Sequence, residues 1–181
     1  MIKKISIVVI VAIIAVVAYI SIPSKKPQNT QIKKFLTKGD SYIPFTLKNL
    51  KGEEVSTKDL KNKVIFINFW ATWCAPCKEE MPSMQALYDK LNKKYPNQFA
   101  MLAVNIDTQD VPLTVQMYAL NLKLNFPILL DTDGKIKSKY NTTGVPETFI
   151  IDKNGKIFNT YIGSVDWNKP KYYKDIESLL K

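Results

Sequence analysis

Residues 64–91 pass from one apolar pattern to another across a pair of cysteines, and this switch constrains the fold more than any other feature of the chain. Val64-Ile65-Phe66-Ile67-Asn68-Phe69 is short, apolar and rich in β-branched and aromatic residues, the composition of a buried strand. Beyond it, Met81, Met84, Leu87, Tyr88 and Leu91 recur at spacings of three and four, the stripe of a helix packed on one side. Between the two patterns, in Trp73-Cys74-Ala75-Pro76-Cys77, lie the only two cysteines of 181 residues. The N–H groups of a helix's first turn have no partner within the helix and carry partial positive charge, so a sulfur placed there is favoured as thiolate. The pair therefore occupies a position suited to thiol chemistry.

The remaining chain alternates strands and helices. Phe45-Thr46-Leu47 and Val55-Ser56 flank Asn49-Leu50-Lys51-Gly52 and predict a β-hairpin ahead of the main fold, after which Ser56 caps a short helix ending near Leu60. The helix from about Ala75 to Tyr95 contains Pro82, which removes one hydrogen bond and predicts a kink. A second buried strand is expected over Phe99–Ile106, a second helix over Val111–Leu124 with Val115, Tyr118, Ala119 and Leu122 on one face, and a short strand over Pro127–Asp131. One or two helical turns follow over Lys135–Tyr140. Glu147–Ile151 and Lys156–Ile162, joined through Asn154-Gly155, form a hairpin, and a helix from about Pro170 to Leu180 closes the chain. This order predicts an α/β fold: a central mixed sheet flanked by helices, with an added N-terminal β-hairpin.

Composition narrows the chemistry. Histidine is absent, which removes Ser-His-Asp and Cys-His catalysis, His-bearing zinc sites and a C-x-x-C-H haem attachment, since Lys78 follows Cys77. Two cysteines cannot complete a Cys₄ site within one chain, which leaves a metal shared across a dimer as a minor reading; no resident metal and no cofactor are expected. The formal charge is +10, carried entirely by scattered lysines without arginine forks, so the charge reads as solvated surface rather than a nucleic-acid site. Lys3 and Lys4 precede an uncharged apolar run from Ile5 to about Ile22, closed by Pro23. Eighteen helical residues at ~1.5 Å each nearly cross a ~30 Å hydrocarbon core, so residues 1–23 read as a membrane anchor, with a cleaved signal peptide as the alternative. Lys25, Lys26, Lys33 and Lys34 blur the orientation, but the short dibasic start is that of an export signal, placing the domain on the extracytoplasmic side. Residues 24–37 read as a polar, flexible tether, and 38–181 as a single domain.

Trp73-Cys74-Ala75-Pro76-Cys77 between strand and helix resembles the active site of the thioredoxin fold. The longer run Asn68-Phe69-Trp70-Ala71-Thr72-Trp73-Cys74, with Glu80, resembles the membrane-tethered thiol-disulfide oxidoreductases of cytochrome c maturation, the ResA, CcmG and TlpA group. Gly144-Val145-Pro146-Glu147-Thr148-Phe149 resembles that group's second signature, in which the proline is cis and faces the cysteines. Together these resemblances cover the chain from about Lys38 onward.

Cys74 is the expected nucleophile, partly exposed and with its pKa below the reference of ~8.5, and Cys77, one turn into the helix, is the more buried resolving thiol. A structural disulfide is the alternative, though so short a loop restricts the unfolded chain little. Trp73 is expected over the site and Trp70 in the core, while Pro76 lies between the cysteines and influences their potential. Glu80 shares a helix face with Cys77 and can take or return its proton, a role the resemblance also implies, whereas Glu79 reads as solvated. Asn68 stands where thioredoxins carry a buried aspartate, which leaves Glu80 as the substitute acid-base group. By resemblance, Pro146 is cis and exposes Val145 backbone groups for strand-like pairing with substrate. Glu147 is either part of that surface or a strand-end surface charge.

The expected activity is extracytoplasmic reduction of the disulfide of apocytochrome c, with electrons from a transmembrane thiol donor. A general reductase, isomerase or oxidant is the alternative. Thiol peroxidase chemistry is disfavoured by Ala71, where a threonine three residues before the nucleophile would lie, and soft-metal binding by the two thiols is a third, non-enzymatic reading.

Overall fold

The computed structural model describes residues 35–108 and 111–181. Its elements run β1 (Thr46–Asn49), β2 (Glu54–Ser56), a 3₁₀ turn (Thr57–Leu60), β3 (Val64–Trp70), α1 (Ala75–Lys94), β4 (Phe99–Asn105), α2 (Val111–Asn121), β5 (Ile128–Leu130), α3 (Lys135–Tyr140), β6 (Glu147–Ile151), β7 (Ile157–Ile162) and α4 (Pro170–Ser178). The expected anchor at 1–23 and nearly all of the expected tether lie outside the described residues. Among the described residues, no helix is long and apolar enough to cross a membrane.

The strands form one seven-stranded mixed sheet in the order β2-β1-β5-β4-β3-β6-β7. β3, β4 and β5 are parallel neighbours, while β6 runs antiparallel to β3 and β7 to β6. The β1–β2 hairpin extends the other side of the sheet by pairing antiparallel with β5, Lys48 opposite Leu130. All seven residues of β3 are buried, with no alternation of inner and outer positions, because helices cover both faces of a strand in the middle of such a sheet. The architecture is the thioredoxin-like α/β fold.

Polar loop residues hold the upper ends of the central strands together. Ile106 N–H donates to the carbonyl of Trp70 at 2.9 Å, which carries β4 past the end of β3. Asp107, next along, accepts from Thr72 N–H at 3.2 and 3.3 Å and is itself braced by the Asn105 amide at 3.1 Å. The turn that leads into Cys74 is thus tied to the neighbouring strand. Asp131 performs a similar task after β5: its carboxylate accepts from Ile136 and Lys137 N–H at 3.0 and 2.7 Å and caps α3, and burial raises its pKa.

Two helices end earlier than their apolar patterns predict. α2 stops at Asn121 rather than Leu124: Leu124 N–H reaches back to Ala119 and Lys123 N–H to Leu120, with Lys123 at φ +54°. This is the paired-bond helix terminus usually built on glycine, here with lysine in the left-handed position, so no glycine marked it in the sequence. α3 ends the same way on Asn141. α4 ends at Ser178, and the expected final turn over Leu179 and Leu180 is made of three-residue hydrogen bonds. α1 is helical through Pro82. On α2, Val115 and Ala119 face the core as expected, while Leu113, Met117 and Leu120 face solvent.

The β6–β7 turn closes on Asp152, whose carbonyl accepts from Gly155 N–H at 3.0 Å. Gly155 has φ +74°, and a Cβ there would meet the Tyr42 ring at 3.2 and 3.3 Å. The same contact joins the turn to the segment before β1, because Tyr42 N–H donates to the Gly155 carbonyl at 3.0 Å. Gly155→Ala should therefore destabilise the domain by about 1–2 kcal/mol, read as a lower urea midpoint at unchanged slope.

Candidate active site

β3 ends in mid-sheet and the chain turns at once into α1, so Cys74 becomes the N-cap residue of that helix, with φ −89° and ψ 102°. Its sulfur accepts the N–H of Cys77 at 3.2 Å, and its carbonyl accepts the N–H of Lys78, the first bond of the helix. A thiolate at this position is favoured by the same N–H and by the helix dipole. Cys74 and Cys77 are joined as a disulfide. In this oxidised form Cys74 is only 5% exposed, less than the partial exposure the sequence predicted, and Cys77 is 1% exposed. Trp73 is 70% exposed, and Ala75 and Pro76 are exposed with it, so the rim of the disulfide is apolar and open.

The Val145–Pro146 peptide bond is cis, and the Val145 carbonyl oxygen lies 3.6 Å from Cys74 Sγ. Elements far apart in sequence, the start of α1 and the loop before β6, thus meet at the reactive sulfur. Pro146 is buried. Glu147 is not a surface charge: it is 4% exposed, accepts from Thr143 N–H at 2.9 Å and from the Thr143 hydroxyl at 3.3 Å, and burial raises its pKa. Its carboxylate braces the loop that carries Val145 and Pro146.

Glu80 lies one turn beyond Cys77 on the buried side of α1 and is 1% exposed, whereas Glu79 faces solvent. Its Oε1 accepts the indole N–H of Trp167 at 2.6 Å, and its Oε2 faces Asn68 Nδ2 at 3.5 Å. Asn68 Nδ2 also donates to Thr148 Oγ1 at 2.9 Å, which links β3 to β6 beneath the cysteines. Burial pushes the Glu80 pKa up from 4.5 to about 7, against the opposing hydrogen bonds from Trp167, the Val165 backbone and Asn68. A carboxyl group poised near neutrality within the helix that bears Cys77 is suited to carry a thiol proton. Among the described residues, no cluster of three or more histidine, cysteine, aspartate or glutamate side chains that could hold a metal ion occurs.

The structure brings Cys74, Cys77, Val145 and Pro146 together, with Trp73 and Pro76 on the rim, Glu80 beneath and Glu147 in the supporting loop. Three contributors gave no sequence signal of their own. Trp167 sits in a polar turn, Asp166-Trp167-Asn168, and reaches Glu80 only through the path of the chain. Thr148 and Asp107 are ordinary strand-end residues until their partners are known.

Residues 39–159 match the family model described as the AhpC/TSA family. The thioredoxin-like protein YneN of Bacillus subtilis is 36% identical over 143 residues, covering 78% of this chain and 81% of that one. The thiol-disulfide oxidoreductase ResA of Geobacillus kaustophilus is 36% identical over 141 residues, 78% of this chain and 77% of that one. Among solved structures, a Chlorobium tepidum protein described as a DsbE-type thiol:disulfide interchange protein superposes with a TM-score of 0.72 at 29% identity, covering 81% of this chain and 99% of that one. StoA of Bacillus subtilis superposes with a TM-score of 0.61 at 28% identity, covering 73% of this chain and 96% of that one.

The buried carboxyl group makes stability depend on pH in a definite sense. Its folded pKa of about 7 lies above the ordinary 4.5, so the folded state holds the extra proton between those values and loses stability as pH rises through them. The cost at pH 7 and above is on the order of 3 kcal/mol. Urea unfolding of the oxidised protein across pH 4–8 should show this decline in the wild type, and Glu80→Gln should remove it.

Proposed function

We propose that this chain, which belongs to the AhpC/TSA family and is a thiol-disulfide oxidoreductase of the ResA/DsbE type, works as a membrane-anchored reductant outside the cytoplasm. Its substrate in this reading is the disulfide of apocytochrome c, whose two thiols must be free before haem attaches. The observation that carries the redox reading is the Cys74–Cys77 disulfide at the N-terminus of α1, with Glu80 buried one turn below it. The anchor rests on the apolar run from Ile5 to about Ile22 behind Lys3 and Lys4, and the substrate on the likeness to ResA proteins.

In the reduced protein, the Cys74 thiolate attacks one sulfur of the substrate disulfide. A Cys74–substrate bond forms as the substrate S–S bond breaks, and the second substrate sulfur leaves as a thiolate. Cys77 then passes its proton to ionised Glu80 and attacks Cys74 Sγ. The mixed disulfide breaks, the other substrate thiolate leaves, and two electrons have moved to the substrate. The remaining Cys74–Cys77 disulfide is the form described above, and a second dithiol, supplied in this reading by a transmembrane thiol carrier, must reduce it to begin another cycle. Trp73 and Pro76 on the rim supply apolar contact for the polypeptide around the target disulfide. The Val145 carbonyl, 3.6 Å from the reactive sulfur, supplies a backbone acceptor for it.

The direction of electron flow is tested by the reduction potential of the full chain, equilibrated against glutathione or dithiothreitol. A reductant is expected below roughly −200 mV, toward the ~−270 mV of thioredoxin; a value near ~−120 mV would make the protein a disulfide donor. Cys77→Ser should accumulate a mixed disulfide between Cys74 and an oxidised C-x-x-C-H peptide, and Cys74→Ser should abolish turnover. Equal trapping of unrelated disulfide peptides would replace the cytochrome assignment with a general reductase.

A further inference from the structure

The two oxygens of Glu80 have different surroundings. Oε1 accepts the indole N–H of Trp167 at 2.6 Å. An indole nitrogen donates and cannot accept, so Oε1 cannot direct a proton at that ring while the bond stands. Oε2 faces Asn68, whose amide offers both a donor and an acceptor. Asn68 Oδ1 is buried and has no hydrogen-bond partner among the described residues, while Nδ2 is shared between Thr148 and Glu80. With Glu80 ionised, Nδ2 donates to Oε2; with Glu80 protonated, a turn of the amide presents Oδ1 to the new O–H.

Trp167 is not free to leave. Its backbone N–H donates to Ser83 Oγ at 3.1 Å, and that hydroxyl donates to the Glu80 carbonyl at 2.8 Å. Its ring is wedged among Phe66, Tyr161 and Tyr172, with centroids 4.7, 5.2 and 5.4 Å away. The segment before α4 is therefore fastened to the same turn of α1 twice, by its backbone and by its indole. We propose that Trp167 is the positioning residue of the active site: its indole N–H pins Oε1 of Glu80, so that the exchangeable proton resides on Oε2, beside Asn68. This inference rests on the reading of Glu80 as proton carrier for Cys77.

Other titratable groups on the surrounding elements do not account for the behaviour of Glu80. Cys77 lies on its own helix, Tyr161 on β7 and Tyr172 on α4 touch the Trp167 ring, Asp166 is exposed, and the Glu147 carboxylate on β6 is turned to Thr143. Burial and the three hydrogen bonds from Trp167, the Val165 backbone and Asn68 are the influences on its proton affinity. The indole bond favours the ionised carboxylate, so its loss must raise the pKa.

The test is the titration of Glu80 itself, in the oxidised full chain labelled with ¹³C at glutamate carboxyl groups and kept in solution by a mild detergent. The Glu80 resonance is identified by its loss in Glu80→Gln. Trp167→Phe should raise its midpoint by about one pH unit, the worth of one charge-assisted hydrogen bond. In the wild type the Trp167 indole proton should titrate with the same midpoint. Replacing Trp167 by benzothienylalanine, which keeps the ring and lacks the N–H, should reproduce the rise and serves if Trp167→Phe does not fold. The pH profile of thiol alkylation in the reduced chain, wild type against Glu80→Gln, separates the two ideas. A Glu80-dependent profile with an unmoved midpoint overturns the role of Trp167 alone. A profile indifferent to Glu80→Gln overturns the proton-carrier reading, and the part of Trp167 in the reaction with it.

Discussion

All seven consecutive residues of β3 are buried, and the reactive cysteine stands four residues beyond the last of them. A strand covered on both faces by helices is packed along its whole length, and the turn that leaves it starts from that packing. Cys74 is thereby placed as the N-cap residue of α1, with its sulfur on the N–H of Cys77. The ties from Ile106 and Asp107 to Trp70 and Thr72 extend the same constraint to the neighbouring strand. Thiol chemistry is thus placed at the end of a fully buried strand, where the helix end stabilises a thiolate.

The burial of β3 also makes its one amide significant. Asn68 is amid apolar side chains, and an unpaired polar group there costs on the order of 1–3 kcal/mol. Its partners are Thr148 on β6 and Glu80 on α1, which are themselves buried. Glu80 in turn has a partner in Trp167, whose ring belongs to the aromatic cluster of Phe66, Tyr161 and Tyr172. A polar thread of four side chains therefore runs through the core beneath the disulfide. Such a thread differs from an apolar core in one respect: it leaves a proton-binding group inside the protein with an affinity near neutrality.

The two faces of the disulfide have different surroundings. Above it, exposed Trp73 and Pro76 and the carbonyl of Val145 form an open, mainly apolar surface. Below it, Glu80 is sealed from water by the segment that precedes α4. An exposed apolar rim and a buried carboxyl group are thus divided between solvent and core.

Much of this was legible in the residues themselves. The switch of period across Cys74 and Cys77, the Asn-Gly turn and the β-branched runs record local preferences, and the sheet, both hairpins and the position of the cysteines follow from them. The end of α2 was not legible, because Lys123 occupies a left-handed position that tertiary packing imposes without glycine. Glu80 was marked by its spacing from Cys77, but nothing local distinguishes a helix glutamate that faces water from one under a tryptophan. That depended on Trp167, 87 residues further along the chain. Likewise the buried brace that Glu147 makes to Thr143 needed the loop closed around it. The sequence by itself determined the elements and the reactive pair, since these depend on neighbours within a few residues. Only the tertiary structure decided the proton affinity of Glu80 and the acceptor beside Cys74, since burial and hydrogen bonding there are made by segments that sequence distance keeps apart.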